Sequence, residues 1–306
     1  MRISHAMKYV SQYRKRYGIG KSFRTIIHYG FVGLHKRRLK NKDGNLIEVN
    51  GCKLQVIPND QYGTSGELLM FRTHEPISTE LVSGILKKGM TCLDIGANIG
   101  YYVLLENKIL GQDGQIIALE PSPLNYEYLQ KNISLQKNSN VRTFNIAAGN
   151  KNGSTNFLVY QDASNGGMVI PDGQTSKWPG KMITVDVKTI DTLVDELGIK
   201  KIDFIRMDVE GYEFEIFEGM KNTLEKSHPI IHIEVHKSIM GIKKTKKWFE
   251  LLKSFGYETK YYIPRELDIP MIGSLNDVKN YSIDELIQRL EKDELPSFFM
   301  LSLENI

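Results

Sequence analysis

A glycine-containing turn follows a short apolar segment of the chain. Residues Met90–Ile95 have the pattern of a buried strand, and Tyr101–Leu110 that of an apolar helix. The turn between them places an acid, an asparagine and two glycines at alternate positions: Asp94, Gly96, Asn98 and Gly100. Glycines let a backbone bend tightly and approach a ligand, and a helix N-terminus offers unpaired N–H groups. The pattern predicts a nucleotide-type site, although an ordinary glycine-rich strand–helix turn has the same composition.

The spacing of this turn distinguishes between ligands. The dinucleotide fingerprint is G-x-G-x-x-G, but Asn98 stands at its middle glycine and Tyr101 at its last. The carboxylate of Asp94 would repel a pyrophosphate, whereas it would attract an ammonium or a sulfonium. The turn resembles the first motif of class I S-adenosylmethionine-dependent methyltransferases. The cofactor contacts that we expect here are those of Asp94, Gly96, Ala97, Asn98 and Gly100.

Two polar residues end the next predicted strands. Glu120 closes the strand predicted over Gln115–Glu120, at a distance from the turn where an acid can accept both hydroxyls of an adenosine ribose. Asn145 lies at the end of the strand predicted over Val141–Ile146, where its amide could hydrogen-bond an adenine edge. We predict that both contact the cofactor; a solvated strand-end acid is the alternative for Glu120.

A second polar cluster follows the strand predicted over Lys201–Asp208. Asp208 and Glu210 lie two residues apart, and Gly211 permits a sharp turn into the next helix. The two carboxylates could orient a ligand, bind a metal or accept a proton. Glu213, in the first turn of that helix, fits a capping role.

The strand predicted over Pro229–His236 carries polar residues at alternate positions. His232, Glu234 and His236 therefore share one face, and the last two would converge with Asp208 at the end of the sheet. Such a group could act as a general base or hold a hard metal ion. A divalent metal remains an option, but we predict no metal site because no fixed ligand spacing supports one. His232 is interpreted as a core histidine with its hydrogen bonds satisfied.

Strands and helices alternate from Met90 to the end of the chain. The predicted strands cover residues 90–95, 115–120, 141–146, 201–208, 229–236, 257–263 and 298–303. Such alternation favours an α/β fold with a mostly parallel, Rossmann-like sheet of seven strands and helices on both faces. Ligands then bind beyond the carboxyl ends of the strands, where the polar residues above would meet.

Three further segments surround this sheet. The pattern of residues 43–89 predicts a hairpin that turns at Asn50-Gly51, then a polar loop with Gly63 and Gly66, and a helix that begins at Pro76. Within the main domain, predicted over 90–306, residues 154–188 form an added hairpin around the polar loop Gln161–Lys181. This loop is either a lid or binding loop near the site or a disordered surface excursion.

Residues 1–42 form a basic arm. Of the 40 Lys and Arg residues of the chain, 12 lie in this arm, which contains no Asp or Glu. Apolar residues at helical spacing predict an amphipathic helix: Ile3, Met7, Val10, Tyr13 and Tyr17. The arm either packs its apolar stripe on the domain or contacts an anionic membrane or an acidic substrate. The net charge of +4 is too small by itself to indicate nucleic acid, and we expect no nucleic-acid partner.

The two cysteines and the apolar segments suggest a compartment. Cys52 and Cys92 lack metal spacing and are interpreted as buried free thiols in a reducing environment. We identify neither a membrane span nor a signal peptide, and therefore expect a cytoplasmic protein that the arm could bring to the inner membrane face. The oligomeric state stays open.

Five ordered segments carry a resemblance to one family. They read DIGANIGYYVLL, ALEPSPLNYEYLQKN, NIAAGNKNG, VDVKTIDTL and FIRMDVEGYEFEIFEGM followed by PIIHIEVH, and they are similar to the FkbM family of methyltransferases. Arg206 is a departure, since members often have Lys there. The resemblance implies a class I fold, S-adenosylmethionine as methyl donor and O-methylation of a hydroxyl on a sugar or related natural product. It places Asp208, Glu210, Glu234 and His236 in the active site.

The expected mechanism is an in-line attack of the acceptor hydroxyl on the sulfonium methyl, with Asp208 or His236 as the base. Two other functions remain open: a non-catalytic scaffold that binds S-adenosylmethionine, and a nicotinamide-dependent oxidoreductase on the same sheet. The missing middle glycine disfavours the oxidoreductase, and the intact turn and Glu120 disfavour the scaffold.

Overall fold

The computed structural model describes residues 3–39, 46–58, 60, 63–136, 140–160, 166–171, 173, 175–176 and 178–304, with the backbone alone at 3–12, 35–39 and 303–304. The chain begins with α1 (Ile3–Leu39), in which Gly18 has a non-helical conformation (φ 82°, ψ 177°) that divides the helix in two. The predicted apolar positions Ile3, Met7 and Val10 have side chains outside the described residues.

The arm is attached to the C-terminal part of the chain. Tyr13 is buried against Leu267, and its hydroxyl donates a hydrogen bond to the carbonyl of Glu266 at 3.1 Å. Further along the helix, Lys21 forms an ion pair with Asp277. This part of the arm therefore packs on the domain, as one of the two interpretations of the sequence expected.

A hairpin and two short helices follow. The hairpin pairs β1 (Leu46–Val49) with β2 (Cys52–Gln55), and the positive φ angles of Asn50 (53°) and Gly51 (71°) fit the predicted two-residue turn. Next come α2 (Thr64–Phe71) and α3 (Pro76–Ile85), the latter beginning at the predicted proline.

The prediction of a polar loop around Gly63 and Gly66 was wrong, because α2 occupies this segment. The carboxylate of Asp60 accepts the backbone N–H groups of Gly63 (2.8 Å) and Ser65 (2.9 Å) at the start of the helix. Leu68 is completely buried. The hydrogen bonds of Asp60 and the burial of Leu68 thus stabilise a helix whose first residues, Thr64, Ser65 and Gly66, are weak helix formers.

In the described part of the chain, the main sheet has seven strands. Its members are β3 (Thr91–Ile95), β4 (Gln115–Leu119), β5 (Val141–Phe144), β10 (Phe204–Met207), β11 (Ile230–Val235), β12 (Tyr257–Pro264) and β13 (Phe298–Glu304). The spatial order is β12-β13-β11-β10-β3-β4-β5, and only β13 runs antiparallel to its neighbours, β11 and β12. The predicted α/β fold with a mostly parallel seven-stranded sheet is confirmed.

Helices cover both faces of this sheet, as predicted. Besides α3 they are α4 (Tyr101–Leu110), α5 (Pro123–Ser134), α6 (Ile190–Glu196), α7 (Glu213–Glu218), α8 (Lys221–Ser227), α9 (Lys237–Ser254) and α10 (Ile283–Glu291). Leu93 and Ile95 of β3 belong to one core with Trp248 of α9, whereas Cys92 faces a second core with Leu129 of α5. The alternating directions of strand side chains thus produce two cores, one on each face.

A smaller sheet is inserted after β5. It consists of β6 (Ala147–Ala148), β7 (Gly153–Tyr160), β8 (Gly167–Ile170) and β9 (Gly180–Lys188), in the order β6-β9-β7-β8. The predicted hairpin corresponds to β7 and β9. The loop predicted over Gln161–Lys181 was wrong in part, because it contains β8; its residues 161–165, 172, 174 and 177 lie outside the described residues. A Cβ on Gly167 would lie 1.9 Å from the carbonyl oxygen of Leu158, so glycine permits this pairing.

Two smaller features complete the fold. The helix predicted after Asp208 is divided into α7 and α8, which meet at Gly219 and Met220.

Cys52 and Cys92 are both buried and free, as expected. Among the described residues no helix combines the length and the low polarity that crossing a bilayer requires.

The docking of the arm predicts a difference between two of its tyrosines. Tyr13→Ala removes a buried ring and its hydrogen bond, whereas Tyr29→Ala removes a ring that is half exposed. We expect trypsin to cleave the lysine- and arginine-rich arm at least about tenfold faster in Tyr13→Ala, since cleavage follows local opening. Tyr29→Ala should be cleaved at the wild-type rate. Equal rates in the two variants would contradict the docked arrangement.

Candidate active site

One cavity of about 310 Å³ lies beyond the carboxyl ends of β3, β4, β10 and β11. Seven of the residues that the sequence singled out line it: Gly96, Asn98, Glu120, Asp208, Glu210, Glu234 and His236. The predicted cofactor residues Asp94, Ala97, Gly100 and Asn145 do not line this cavity. Ala97 and Asn145 instead form hydrogen bonds with Leu119 and Glu120, which line it.

The glycine turn is held between two neighbouring strands. The N–H groups of Gly96 and Ala97 both donate to the carbonyl of Leu119 at the end of β4, at 2.9 Å. Gly96 has φ 86°, and a Cβ there would lie 1.9 Å from the carbonyl oxygen of Asp208 beyond β10. Only glycine allows the turn to approach this backbone so closely. Gly100, at φ 91°, is the N-cap of α4 and packs against Leu129.

Glu120 connects the turn with the next loop. Its Oε2 accepts the N–H of Asn98 at 2.8 Å, and its Oε1 accepts the N–H of Ser122 at 2.9 Å. Burial raises the pKa of Glu120 to about 7, although these two hydrogen bonds oppose the shift. Asn145 donates to the carbonyls of Glu120 (2.8 Å) and Pro121 (3.1 Å). Its amide therefore holds the backbone that carries this carboxylate.

Asp94 is completely buried and pairs with a residue whose role the sequence did not reveal. One terminal nitrogen of Arg206 lies 3.2 Å from Asp94 and 3.1 Å from the carbonyl oxygen of Gly96. The other lies 3.2 Å from Asp208, and the guanidinium stacks 4.3 Å from the ring centre of Tyr102. Asp94 therefore neutralises a buried cation beneath the turn. The predicted contact between Asp94 and the cofactor stays a prediction.

His236 is the centre of an acidic cluster. Its Nδ1 lies 2.6 Å from the buried carboxylate of Glu213, which fixes the orientation of the ring. Its Nε2 then faces three carboxylates that line the cavity: Glu234 at 3.5 Å, Glu210 at 3.6 Å and Asp208 at 3.8 Å. The sequence indicated a capping role for Glu213; its Oε1 also accepts the N–H of Gly211 at 3.2 Å, but orienting His236 is its larger contribution to the site.

The charges of this cluster determine where protons are held. Burial lowers the pKa of His236, but the carboxylates around it, Glu234 first, outweigh burial and hold this pKa well above its ordinary value. Burial raises the pKa of Glu234 to about 8, against the effect of His236 and Arg265. Since both groups favour the protonated form, at least one proton stays between them at neutral pH.

Three of these residues could also hold a metal ion. Asp208, Glu234 and His236 each offer a ligand atom, and these atoms lie within 4.8 Å of one another. Two of the three already have cationic partners, since Arg206 lies 3.2 Å from Asp208 and Arg265 lies 3.3 Å from Glu234. A divalent cation would have to compete with both guanidinium groups. The arrangement therefore suits proton transfer better than metal binding.

Residues far apart in the sequence complete the cavity wall. His74, Glu75, Arg265 and Ser297 line the end near Glu234, and Phe157 and Val169 of the inserted sheet line another side. His74 contacts Glu75 at 3.1 Å, and the hydroxyl of Tyr102 donates to Glu75 at 3.0 Å. No motif surrounds these residues in the sequence, so only the tertiary structure identifies them.

His232 lies in the core, as predicted, but it is not satisfied. The ring stacks on Phe299 at 5.7 Å, and both of its nitrogens lack a hydrogen-bond partner among the described residues. Burial lowers the pKa of His232 to about 3, so the ring is neutral.

Comparison with known proteins finds methyltransferases among the curated relatives. Two curated relatives are AglP, the hexuronic acid methyltransferase of Haloferax volcanii, and NoeI, a 2-O-methyltransferase of Sinorhizobium fredii. AglP is 28% identical over 149 residues, which cover 48% of this chain and 56% of AglP. NoeI is 27% identical over 175 residues, which cover 49% of this chain and 65% of NoeI. The chain thus spans less than two thirds of the length of either relative.

A solved structure of the methyltransferase FkbM from Methylobacillus flagellatus is also similar, with 16% identity and a TM-score of 0.44 over 78% of this chain and 51% of that one. Residues 94–259, more than half of the 306 residues, match the family described as methyltransferase FkbM domain. This match begins at Asp94 of the glycine turn and includes β11 with Glu234 and His236. The chain therefore belongs to the FkbM methyltransferase family.

Proposed function

We propose that this protein transfers a methyl group from S-adenosylmethionine to a hydroxyl of a sugar, a glycan or a related natural product. The observation that carries the proposal is that one cavity contains both the glycine turn with Glu120 and the carboxylate cluster around His236. A donor held at the first group would meet an acceptor held at the second.

The residues of the turn fit the adenosine part of the donor. A carboxylate offers about four lone-pair positions, and the backbone N–H groups of Asn98 and Ser122 occupy one on each oxygen of Glu120. Each oxygen therefore keeps a position for one hydroxyl of a ribose. Gly96 brings the backbone close to the same cavity, and Asn145 fixes the backbone that carries Glu120.

The other end of the cavity fits the reacting groups. S-adenosylmethionine supplies an electrophilic methyl group on a positively charged sulfur. Asp208 lines the cavity, and the negative charge of its carboxylate favours binding of a cation there. Once a donor and an acceptor are held in line, positioning alone supplies up to roughly 7–11 kcal/mol of the barrier reduction.

Asp208 is the base that we assign to the acceptor hydroxyl. His236 keeps its own proton at neutral pH because of the carboxylates around it, so it is poorly suited to accept another. One carboxylate oxygen of Asp208 pairs with Arg206. The other lies 3.8 Å from Nε2 of His236. His236 then acts as a charged neighbour that stabilises the cluster.

The cavity end near Glu234 supports a polyhydroxylated acceptor. His74, Glu75, Arg265 and Ser297 present both donors and acceptors of hydrogen bonds there. A sugar exposes several hydroxyls that need such partners. The names of AglP and NoeI, a hexuronic acid methyltransferase and a 2-O-methyltransferase, point to the same class of acceptor.

The donor site is tested by calorimetric titration with S-adenosylmethionine. Glu120→Ala removes the proposed ribose contacts, and we expect the Kd to rise at least about tenfold, because two hydrogen bonds are lost. Glu127→Ala, which removes an exposed carboxylate of α5, is the matched control and should bind like the wild type. An unchanged Kd in Glu120→Ala would refute the assignment.

The base is tested by single-turnover transfer of a labelled methyl group to a panel of sugars, at saturating donor. Asp208→Asn should lower the rate about 10²–10⁴-fold, the usual contribution of a general base. Asp113→Asn, in an exposed loop, serves as the control. A larger loss in His236→Gln than in Asp208→Asn would transfer the role to His236.

The charge on His236 is tested independently of any acceptor. Glu213→Gln keeps an oxygen beside Nδ1 but removes a carboxylate that raises the pKa of His236. We expect the pKa of this ring, followed by NMR titration, to fall by about one unit or more. An unchanged pKa would mean that Glu213 orients the ring without affecting its charge, and a raised pKa would contradict the stabilisation of the charged ring by Glu213.

A further inference from the structure

The solvent-facing side of α1 is apolar beyond its bend at Gly18. Five large apolar side chains are exposed there at helical spacing: Ile19 (67%), Phe23 (62%), Ile26 (53%), Ile27 (42%) and Leu34 (77%). Exposed apolar residues scattered singly are ordinary, but a continuous stripe of this kind marks an interaction surface.

The opposite side of the same helix is polar and buried. Ser22, Thr25 and His28 face the domain, and the ring of His28 stacks on Phe71 of α2 at 5.0 Å. The hydroxyls of Ser22 and Thr25 donate to carbonyls one turn earlier in the helix, at 2.9 and 2.8 Å, which makes their burial possible. A helix on a soluble domain ordinarily turns its apolar side inward, and the part of α1 beyond Gly18 does the reverse. Its orientation is fixed by these contacts, so the apolar stripe cannot turn inward without undocking the helix.

The charge of the arm indicates what covers this stripe. The arm, residues 1–42, contains 12 of the 40 Lys and Arg residues, whereas all 36 Asp and Glu residues lie after it. A second copy of the chain, docked through the same face, would bring two such arms together and repel them. An anionic bilayer offers both an apolar layer for the stripe and negative charge for the cations.

We propose that the stripe Ile19–Leu34 of α1 is a docking surface for an anionic lipid bilayer. Phe23 and the isoleucines enter the boundary between head groups and acyl chains, and the exposed basic residues Arg14 and Lys15, which precede the stripe, contact the phosphates. The helix lies in the plane of the bilayer surface, and the domain remains on the aqueous side.

The position of α1 links this surface to the cavity. His28, Tyr29 and Val32 of α1 line a second cavity of about 210 Å³, which shares Thr64, His74 and Arg265 with the candidate active site. Docking would place the acceptor end of the site beside the bilayer. If the proposed function holds, on which this step rests, the acceptor is a sugar carried by a membrane lipid.

The test is sedimentation of the full chain with vesicles of phosphatidylcholine alone and of phosphatidylcholine mixed with phosphatidylglycerol. We expect the wild type to sediment with the anionic vesicles only, and less so as salt is raised. The double variant Phe23→Ser/Ile26→Ser should partition at least about tenfold less. Leu46→Ser/Leu135→Ser removes two exposed leucines elsewhere and should behave like the wild type.

Three results would overturn the proposal. They are absence of the wild type from anionic vesicles, equal partitioning of Phe23→Ser/Ile26→Ser and wild type, and a wild-type dimer that this variant converts to a monomer in analytical ultracentrifugation. The last would identify a second copy as the occupant. Calorimetric binding of S-adenosylmethionine should be the same in all these proteins, so a failure of the proposed function remains distinguishable from a failure of docking.

Discussion

The buried guanidinium of Arg206 is the interaction on which the rest of the site depends. It joins Asp94 of β3, the carbonyl of Gly96 in the turn and Asp208 beyond β10. A buried ion is costly unless it is paired and its hydrogen bonds are satisfied, so these contacts leave little freedom to either loop. The planar fork of arginine suits several acceptors at fixed angles, which the point charge of lysine does not.

This network extends from the glycine turn to the end of the cavity near Glu234. Arg206 stacks on Tyr102, whose hydroxyl donates to Glu75 on the wall near Glu234. Paired charges of this kind hold the side chains of the site in place before any substrate arrives. In the proposed transfer of an already activated methyl group, such positioning would be the main task. The inserted sheet and α1 add walls and a surface around this centre, and they are the parts through which an acceptor would be selected.

The sequence predicted the main sheet and the residues at its carboxyl edge, because buried parallel strands and a glycine turn leave strong local patterns. It did not predict α2, whose first residues Thr64, Ser65 and Gly66 are weak helix formers, or β8, which is short and depends on its pairing with β7. The ion pair between Asp94 and Arg206 was not evident from the sequence, because a strand-end acid can face a ligand, a buried cation or both. Glu75 and Arg265 could not be found from any motif, because distant segments bring them together.

In this arrangement Asp94 and Arg206 stabilise each other as a buried pair. A double-mutant cycle with Asp94→Asn and Arg206→Met, measured as the free energy of unfolding in urea, tests it most directly. Arg206→Met alone should cost about 3–5 kcal/mol, because it leaves buried carboxylates unpaired. The loss of unfolding free energy in the double variant should be smaller than the sum of the two single losses by about 2–3 kcal/mol. Effects that add to within about 0.5 kcal/mol would contradict the account.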